Sequence, residues 1–219
     1  MYNRSRRRTV LQQLTRVFER SETSSGRSLP IRKTGRGIWA ATPIRVVAEA
    51  ASTLTELGIL DGEQQTRPVI DAGTGDGRVM AVLAGLNPSL VAYGIEADQA
   101  LHTRAVANLH TLSTSGLIDS TRVHLLEADY CDVGTYETRD IALNEVGLIF
   151  NYPDGNERQL ARFVADHCGH DTTLCLLTHN RTLEVDELEL SARHDVSDGT
   201  GPPWRLSLYR RRSSGSVEG

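Results

Sequence analysis

From residue 67 onward, short apolar runs alternate with longer stretches whose apolar positions recur every three or four residues. The short runs are RPVIDAG (67–73), LVAYGIEAD (90–98), RVHLLEAD (122–129), VGLIFNY (146–152) and TTLCLLTHN (172–180). Being apolar nearly throughout, they predict strands buried on both faces. Between them, GRVMAVLAGL, DQALHTRAVANLHTL and GNERQLARFVADH carry the helical period. Strands separated by helices pair in parallel. The end of the chain differs: ELELSARHDV and WRLSLYRRR flank the turn-rich SDGTGPP, which predicts two adjacent antiparallel strands. The expected fold is α/β, a doubly wound, mostly parallel sheet of about seven strands closed by a C-terminal antiparallel hairpin.

Upstream of the first strand, TPIRVVAEAASTLTELG predicts a helix with Thr42 as N-cap, Pro43 at the first helical position and Gly58 as the stop. Before that, Val10, Leu11, Leu14, Val17 and Phe18 fall at helical spacing. They predict an amphipathic helical arm packed on the body with a solvated arginine face. Residues 21–37, SETSSGRSLPIRKTGRG, read as a polar linker or loop. The chain thus divides into a basic helix and linker (1–37) and a ligand-binding domain (38–219), within the size of one domain.

Charge gives the arm further meaning. Up to Arg45 the chain carries 11 Lys and Arg against 2 Glu, although the whole has a net charge of −4. Besides a packing helix, such a segment suits a contact surface for nucleic acid or another polyanion, or an organelle transit peptide. Hydrophobic residues make up 39% and charged residues 24%, ordinary for a protein with a real core. No apolar run approaches membrane-helix length, and no apolar signal follows Met1. Cys131, Cys168 and Cys175 are odd in number and scattered, which favours a reducing cytoplasm over a disulfide framework.

The candidate chemistry lies in DAGTGDGR (71–78). In a doubly wound sheet, ligands bind beyond the C-terminal strand ends, where the order reverses, and the first strand–helix turn sits there. Gly73 and Gly75 let the backbone turn tightly and approach a ligand, while Gly77 opens the helix. The spacing is G-x-G-x-G, which differs from the dinucleotide fingerprint G-x-G-x-x-G. No Gly-Lys-Ser/Thr follows to make a phosphate loop. Acids recur at successive strand ends. Glu96, 19 residues after Gly77, can accept both hydroxyls of a ribose, and Asp129 can accept from an adenine amino group with Tyr130 alongside the base. Asp98 is the natural cap of the next helix.

VIDAGTGDGR, GIEAD, LLEADY and LIFNYPDG together resemble the ordered motifs of class I S-adenosylmethionine-dependent methyltransferases, over roughly residues 38–211. The resemblance implies S-adenosyl-L-methionine as cofactor. Asp71, Ala72, Gly73, Thr74 and Gly75 would then surround its methionine portion, Glu96 and Ala97 the ribose, and Asp129 and Tyr130 the adenine. GIWAATP is similar to an element that folds over the cofactor in broad-specificity protein lysine methyltransferases; it implies that Trp39 and Thr42 line the site.

NYPD (151–154) ends the fourth strand. Enzymes that methylate adenine or glutamine amino groups carry Asn/Asp-Pro-Pro-aromatic here; this chain has Tyr152 second and a single Pro153, which puts that chemistry in doubt. Asn151 and Tyr152 are the candidate catalytic residues at the substrate mouth, and the resemblance implies that Asn151 also contacts the cofactor. Tyr152, Trp39 and Tyr130 can supply part of an aromatic channel for a lysine. Asp154 with Glu157 fits a helix-capping box. DHCGHD, with His167, Cys168 and His170, has too few partners for zinc, and no metal is expected. His179 is a candidate base or a merely hydrogen-bonded histidine. The reading is a cytoplasmic methyltransferase acting first on a protein side chain, lysine; RNA is the alternative, through the basic arm, then a small molecule. An idle adenosyl-binding module is the competing class, and no membrane partner is expected.

Overall fold

A computed structural model describes residues 4–24, 31–35, 37–60, 67–178, 184, 187–199 and 202–212. Strands β3 (Val69–Ala72), β4 (Ala92–Glu96), β5 (Val123–Glu127), β6 (Leu148–Asn151) and β7 (Thr173–Thr178) are joined by β8 (Leu188–Val196) and β9 (Trp204–Arg211) in one seven-stranded sheet of order β5-β4-β3-β6-β7-β9-β8. The first five pair in parallel; β9 runs antiparallel to both β7 and β8. The expected α/β sheet with its C-terminal hairpin is the observed one. β3 lies between β4 and β6, with Ala72 opposite Ile95 on one side and Asn151 on the other. That is where the strand order reverses, so a crevice opens over these three strand ends.

The alternation of side chains sorts the core into two layers. Val69, Leu148, Phe150, Cys175 and Leu177 face one layer, while Ile70, Ile149, Leu174 and Leu176 face the other. On the first face lie α1 (Arg4–Ser24), α2 (Ile44–Glu56) and α3 (Arg78–Leu86); α6 (Glu157–His167) covers the second. Val10, Leu14 and Phe18, each one helical turn after the last, are buried in the first layer. The arm is therefore part of the main core, with arginines left outside.

The expected linker differs in two respects. α1 continues to Ser24, and β1 (Ile31–Thr34) pairs with β2 (Gly37–Ala40) in a separate antiparallel hairpin, Ile31 opposite Ala40. Four-residue strands of mixed polarity leave too short a pattern to recognise. α2 starts one residue later than expected. Pro43 occupies the cap position with extended ψ, and no side chain caps the helix, so Thr42 is not an N-cap. Gly58, at φ +70°, ends α2 as expected. Asp98 caps α4 (Gln99–Thr114), its Oδ1 accepting from the Leu101 amide at 3.0 Å. The five-residue α5 (Val133–Glu137) was not anticipated; Asp132 caps it by accepting from Gly134 at 3.0 Å.

Candidate active site

The glycine loop turns back over the end of β4. Gly73, Gly75 and Gly77 have φ of +76°, +60° and +83°, a region that L-residues other than glycine seldom enter. The Gly73 and Thr74 amides both donate to the Ile95 carbonyl, at 2.9 and 3.0 Å. Below them Asp71 is buried and accepts from the Thr74 hydroxyl at 2.6 Å. Burial pushes its carboxyl up to about 7, against the lowering effect of that bond. Glu96 ties the loop to the next strand: Oε2 accepts from the Gly75 amide and Oε1 from the Asp98 amide, both at 2.8 Å. Burial raises its pKa as well. A carboxylate has about four acceptor sites, so each oxygen keeps one for a ligand hydroxyl.

A second carboxylate in the loop has a structural role. Asp76 is fully buried and bonds Arg78 through both oxygens, at 2.9 and 2.6 Å. Arg78 also donates to the Thr42 carbonyl at 3.2 Å and lies over the rings of Phe18 and Trp39, 5.3 and 5.9 Å from their centroids. One guanidinium thus joins α1, the β1–β2 hairpin and the glycine loop. Asn108 of α4 donates to the Asp76 carbonyl at 2.9 Å. Nothing in the sequence marked Asp76, Arg78 or Asn108, because the Asp76–Arg78 pair gains its role from burial and from contacts with Thr42 and Asn108 more than 30 residues away.

The hairpin roofs the crevice. Ile38 donates its amide to the Asp154 carbonyl at 3.1 Å, and Arg32 pairs with Asp98 at 3.5 Å. The Trp39 indole lies so close on Gly75 that a Cβ there would collide with its Nε1. Opposite, the Tyr130 hydroxyl donates to Asp154 Oδ2 at 2.7 Å. Asp154 Oδ1 accepts from the Asn156 amide at 2.9 Å, and α6 begins only at Glu157 with no side-chain cap. The expected capping box is absent: Asp154 spends its carboxylate on a local turn and on Tyr130. Tyr152 leans against Trp204 at 5.7 Å between centroids.

Trp39, Thr42, Asp71, Gly73, Thr74, Glu96, Ala97, Asp129, Tyr130 and Tyr152 line one cavity. Ala72 and Asn151 sit under its floor, where Asn151 Nδ2 donates to the Ala72 carbonyl at 2.8 Å. The Oδ1 of Asn151 is buried with no partner. Asp129 Oδ1 accepts from the Cys131 amide at 2.9 Å. His179 lies outside the described residues. Among the described residues no three potential metal ligands converge; His167 packs on Phe163 at 5.0 Å and Cys168 is buried. Four carboxylates, Asp71, Glu96, Asp129 and Asp154, therefore face the cavity, and among the described residues that line it the one cationic side chain, Arg78, is bound to Asp76. Such a cavity repels a pyrophosphate and attracts a cation.

No protein-family model matches the chain, and no curated protein matches its sequence. Solved structures do resemble it. An RNA methyltransferase from Salinibacter ruber, in complex with S-adenosyl-L-homocysteine, has a TM-score of 0.56 at 18% identity, over 80% of this chain and 95% of its own. Magnesium protoporphyrin IX methyltransferase from Synechocystis PCC 6803, with bound S-adenosylmethionine, gives 0.53 at 15% identity, covering 77% and 79%. TrmN from Thermus thermophilus gives 0.54 at 19% identity, covering 74% of this chain and 48% of TrmN. The fold is that of class I methyltransferases. The likeness spans RNA and small-molecule enzymes and does not single out lysine methyltransferases.

Proposed function

We propose that this protein is an S-adenosylmethionine-dependent methyltransferase whose acceptor is an amino nitrogen. The observation that carries the reading is the ring of four carboxylates around a loop of three left-handed glycines. It suits a ligand bearing a sulfonium and an ammonium, and it disfavours NAD. In this reading Asp71 faces the ammonium, the free acceptor sites of Glu96 hold the ribose hydroxyls, and Asp129 accepts from the adenine amino group. Trp39 closes over the methionine portion and Tyr130 flanks the base.

The bound cofactor supplies an activated methyl group: the acceptor nitrogen's lone pair forms the N–C bond as the C–S bond breaks, leaving S-adenosylhomocysteine and one proton. The protein's task is chiefly alignment, which can contribute about 7–11 kcal/mol. Asn151 holds the Ala72 carbonyl in place beneath the floor, and Asp154 adds negative charge to the cavity. Tyr152 shapes the mouth. A lysine side chain is one such amine, for which the Tyr152–Trp204 pair offers a wall to the aliphatic stem. Three free cysteines suit a reducing cytoplasm, and no described helix is long and apolar enough to cross a membrane.

Calorimetric titration with S-adenosylmethionine, S-adenosylhomocysteine and NAD tests the reading. Micromolar binding of the two adenosyl ligands without NAD is expected, followed by label transfer from methyl-labelled cofactor to amines. If none of the three binds, the loop is structural and the reading fails.

A further inference from the structure

We infer that the groove between α1 and α2 is a docking surface for the sugar–phosphate backbone of RNA, which places the acceptor base at the cavity. This rests on the methyltransferase reading for its purpose, but not for its evidence. Arg8, Arg16 and Arg45 line the groove, are exposed, and have no carboxylate partner among the described residues. The other nearby arginines are engaged: Arg7 with Glu49 at 2.9 Å, Arg32 with Asp98 and Arg78 with Asp76.

Position links the groove to the site. Arg45, in the first turn of α2, follows three residues after Thr42, whose carbonyl receives Arg78 and which lines the cavity. Arg16 lies two residues before Phe18, which packs against the same Arg78. Arg8, Gln12 and Arg16 repeat at four-residue intervals, so they form one row along α1. Helix rise spreads that row over about 12 Å.

Chemistry favours RNA over a protein partner. Guanidinium forks match phosphate oxygens, and all but one of the chain's basic residues are arginines. Between them Gln12 and Thr15 offer polar groups suited to a 2′-hydroxyl, and no aromatic anchor of the kind protein interfaces use is found among the described residues that line the groove. Among the described residues that line the groove, Arg7, Arg8, Arg16 and Arg45 stand against Glu49 and Asp198, so the lining is net basic in a chain whose net charge is −4.

The test uses the full-length protein and fluorescein-labelled 20-mers of single-stranded RNA, a stem-loop RNA, matching DNA and polyglutamate, read by anisotropy across a salt series. We expect RNA binding at low salt that a triple variant, R8A/R16A/R45A, weakens about 10- to 100-fold, with the log–log salt slope smaller by about 2. Adenosyl-ligand affinity and melting temperature should be unchanged in the variant. Absence of RNA binding at low salt, equal binding by the triple variant, or equal or tighter binding of DNA or polyglutamate would each overturn the proposal. If cofactor binding fails while RNA binding shows the expected loss, the methyltransferase reading fails and the docking surface stands.

Discussion

Glu96 accepts two backbone amides and still has capacity for two ligand hydroxyls. Replacing it with Ala should weaken adenosyl-ligand binding by about 2–3 kcal/mol, roughly 30- to 150-fold, measured by calorimetry. Unchanged affinity in a folded variant refutes the ribose assignment. Gly75→Ala combines a φ of +60° with a collision against Trp39, so the hairpin must lift off the loop. Binding should fall steeply there, and Gly58→Ala, strained but facing open space, provides the control. Asp71 makes a pH prediction. Its pKa of about 7, against an ordinary 3.8, means the folded protein holds a proton that the unfolded chain releases between these values. The stability this contributes at low pH is lost as pH rises through 7. Asp71→Asn should therefore raise the melting temperature at about pH 8 relative to the parent, and gain little at about pH 4. If the ionised form faces the ligand's ammonium, parental affinity should strengthen between about pH 6 and 8, and the variant's should not. A parallel pH profile in both proteins removes Asp71 from that role.

Helix α1 shows what periodicity can and cannot convey. The spacing of Val10, Leu14 and Phe18 predicted a packed face, and that face enters the same core as α2 and α3. Read as an appended arm, α1 would be dispensable; as a layer of the core it is not. Phe18→Ala should cost about 3–5 kcal/mol and lower the melting temperature by roughly 10 °C, seen by calorimetric scanning. A melting temperature within a degree of the parent contradicts the packing. The central strands were legible because burial on both faces leaves an unbroken apolar run, as in β3 and β7. The β1–β2 hairpin was not, since its four-residue strands of mixed polarity leave too short a pattern and its contacts to Asp154 and Asp98 lie more than 60 residues away along the chain. Of the cavity-lining acids, Asp71, Glu96 and Asp129 were visible at or near strand ends, whereas Asp154 read as a helix cap. The Asp76–Arg78 pair looked like loop polarity, and only its burial between α1 and α4 reveals a structural joint.

At the scale of the whole molecule, the cavity is a junction. The glycine loop, the ends of β4, β5 and β6, and the hairpin each contribute one wall. Direct contacts already join several of these walls: Gly75 to Glu96, Trp39 to Gly75, Ile38 and Tyr130 to Asp154, and Arg32 to Asp98. A ligand held by Asp71, Glu96 and Asp129 would add further links across three neighbouring strand ends, so binding should stabilise the entire cooperative unit. At a ligand concentration of about 100 times Kd, the linkage contributes about 2.7 kcal/mol. For a domain of this size that corresponds to a rise in melting temperature of roughly 5–10 °C. S-adenosylmethionine and S-adenosylhomocysteine should both produce it, and NAD should not. Under the ring-of-acids reading, S-adenosylhomocysteine lacks the sulfonium charge but keeps the ammonium, ribose and adenine, so its shift should be comparable in the parent and much reduced in Glu96→Ala. A shift of equal size for NAD would mean that the carboxylates do not select for charge, and the functional reading would lose its foundation.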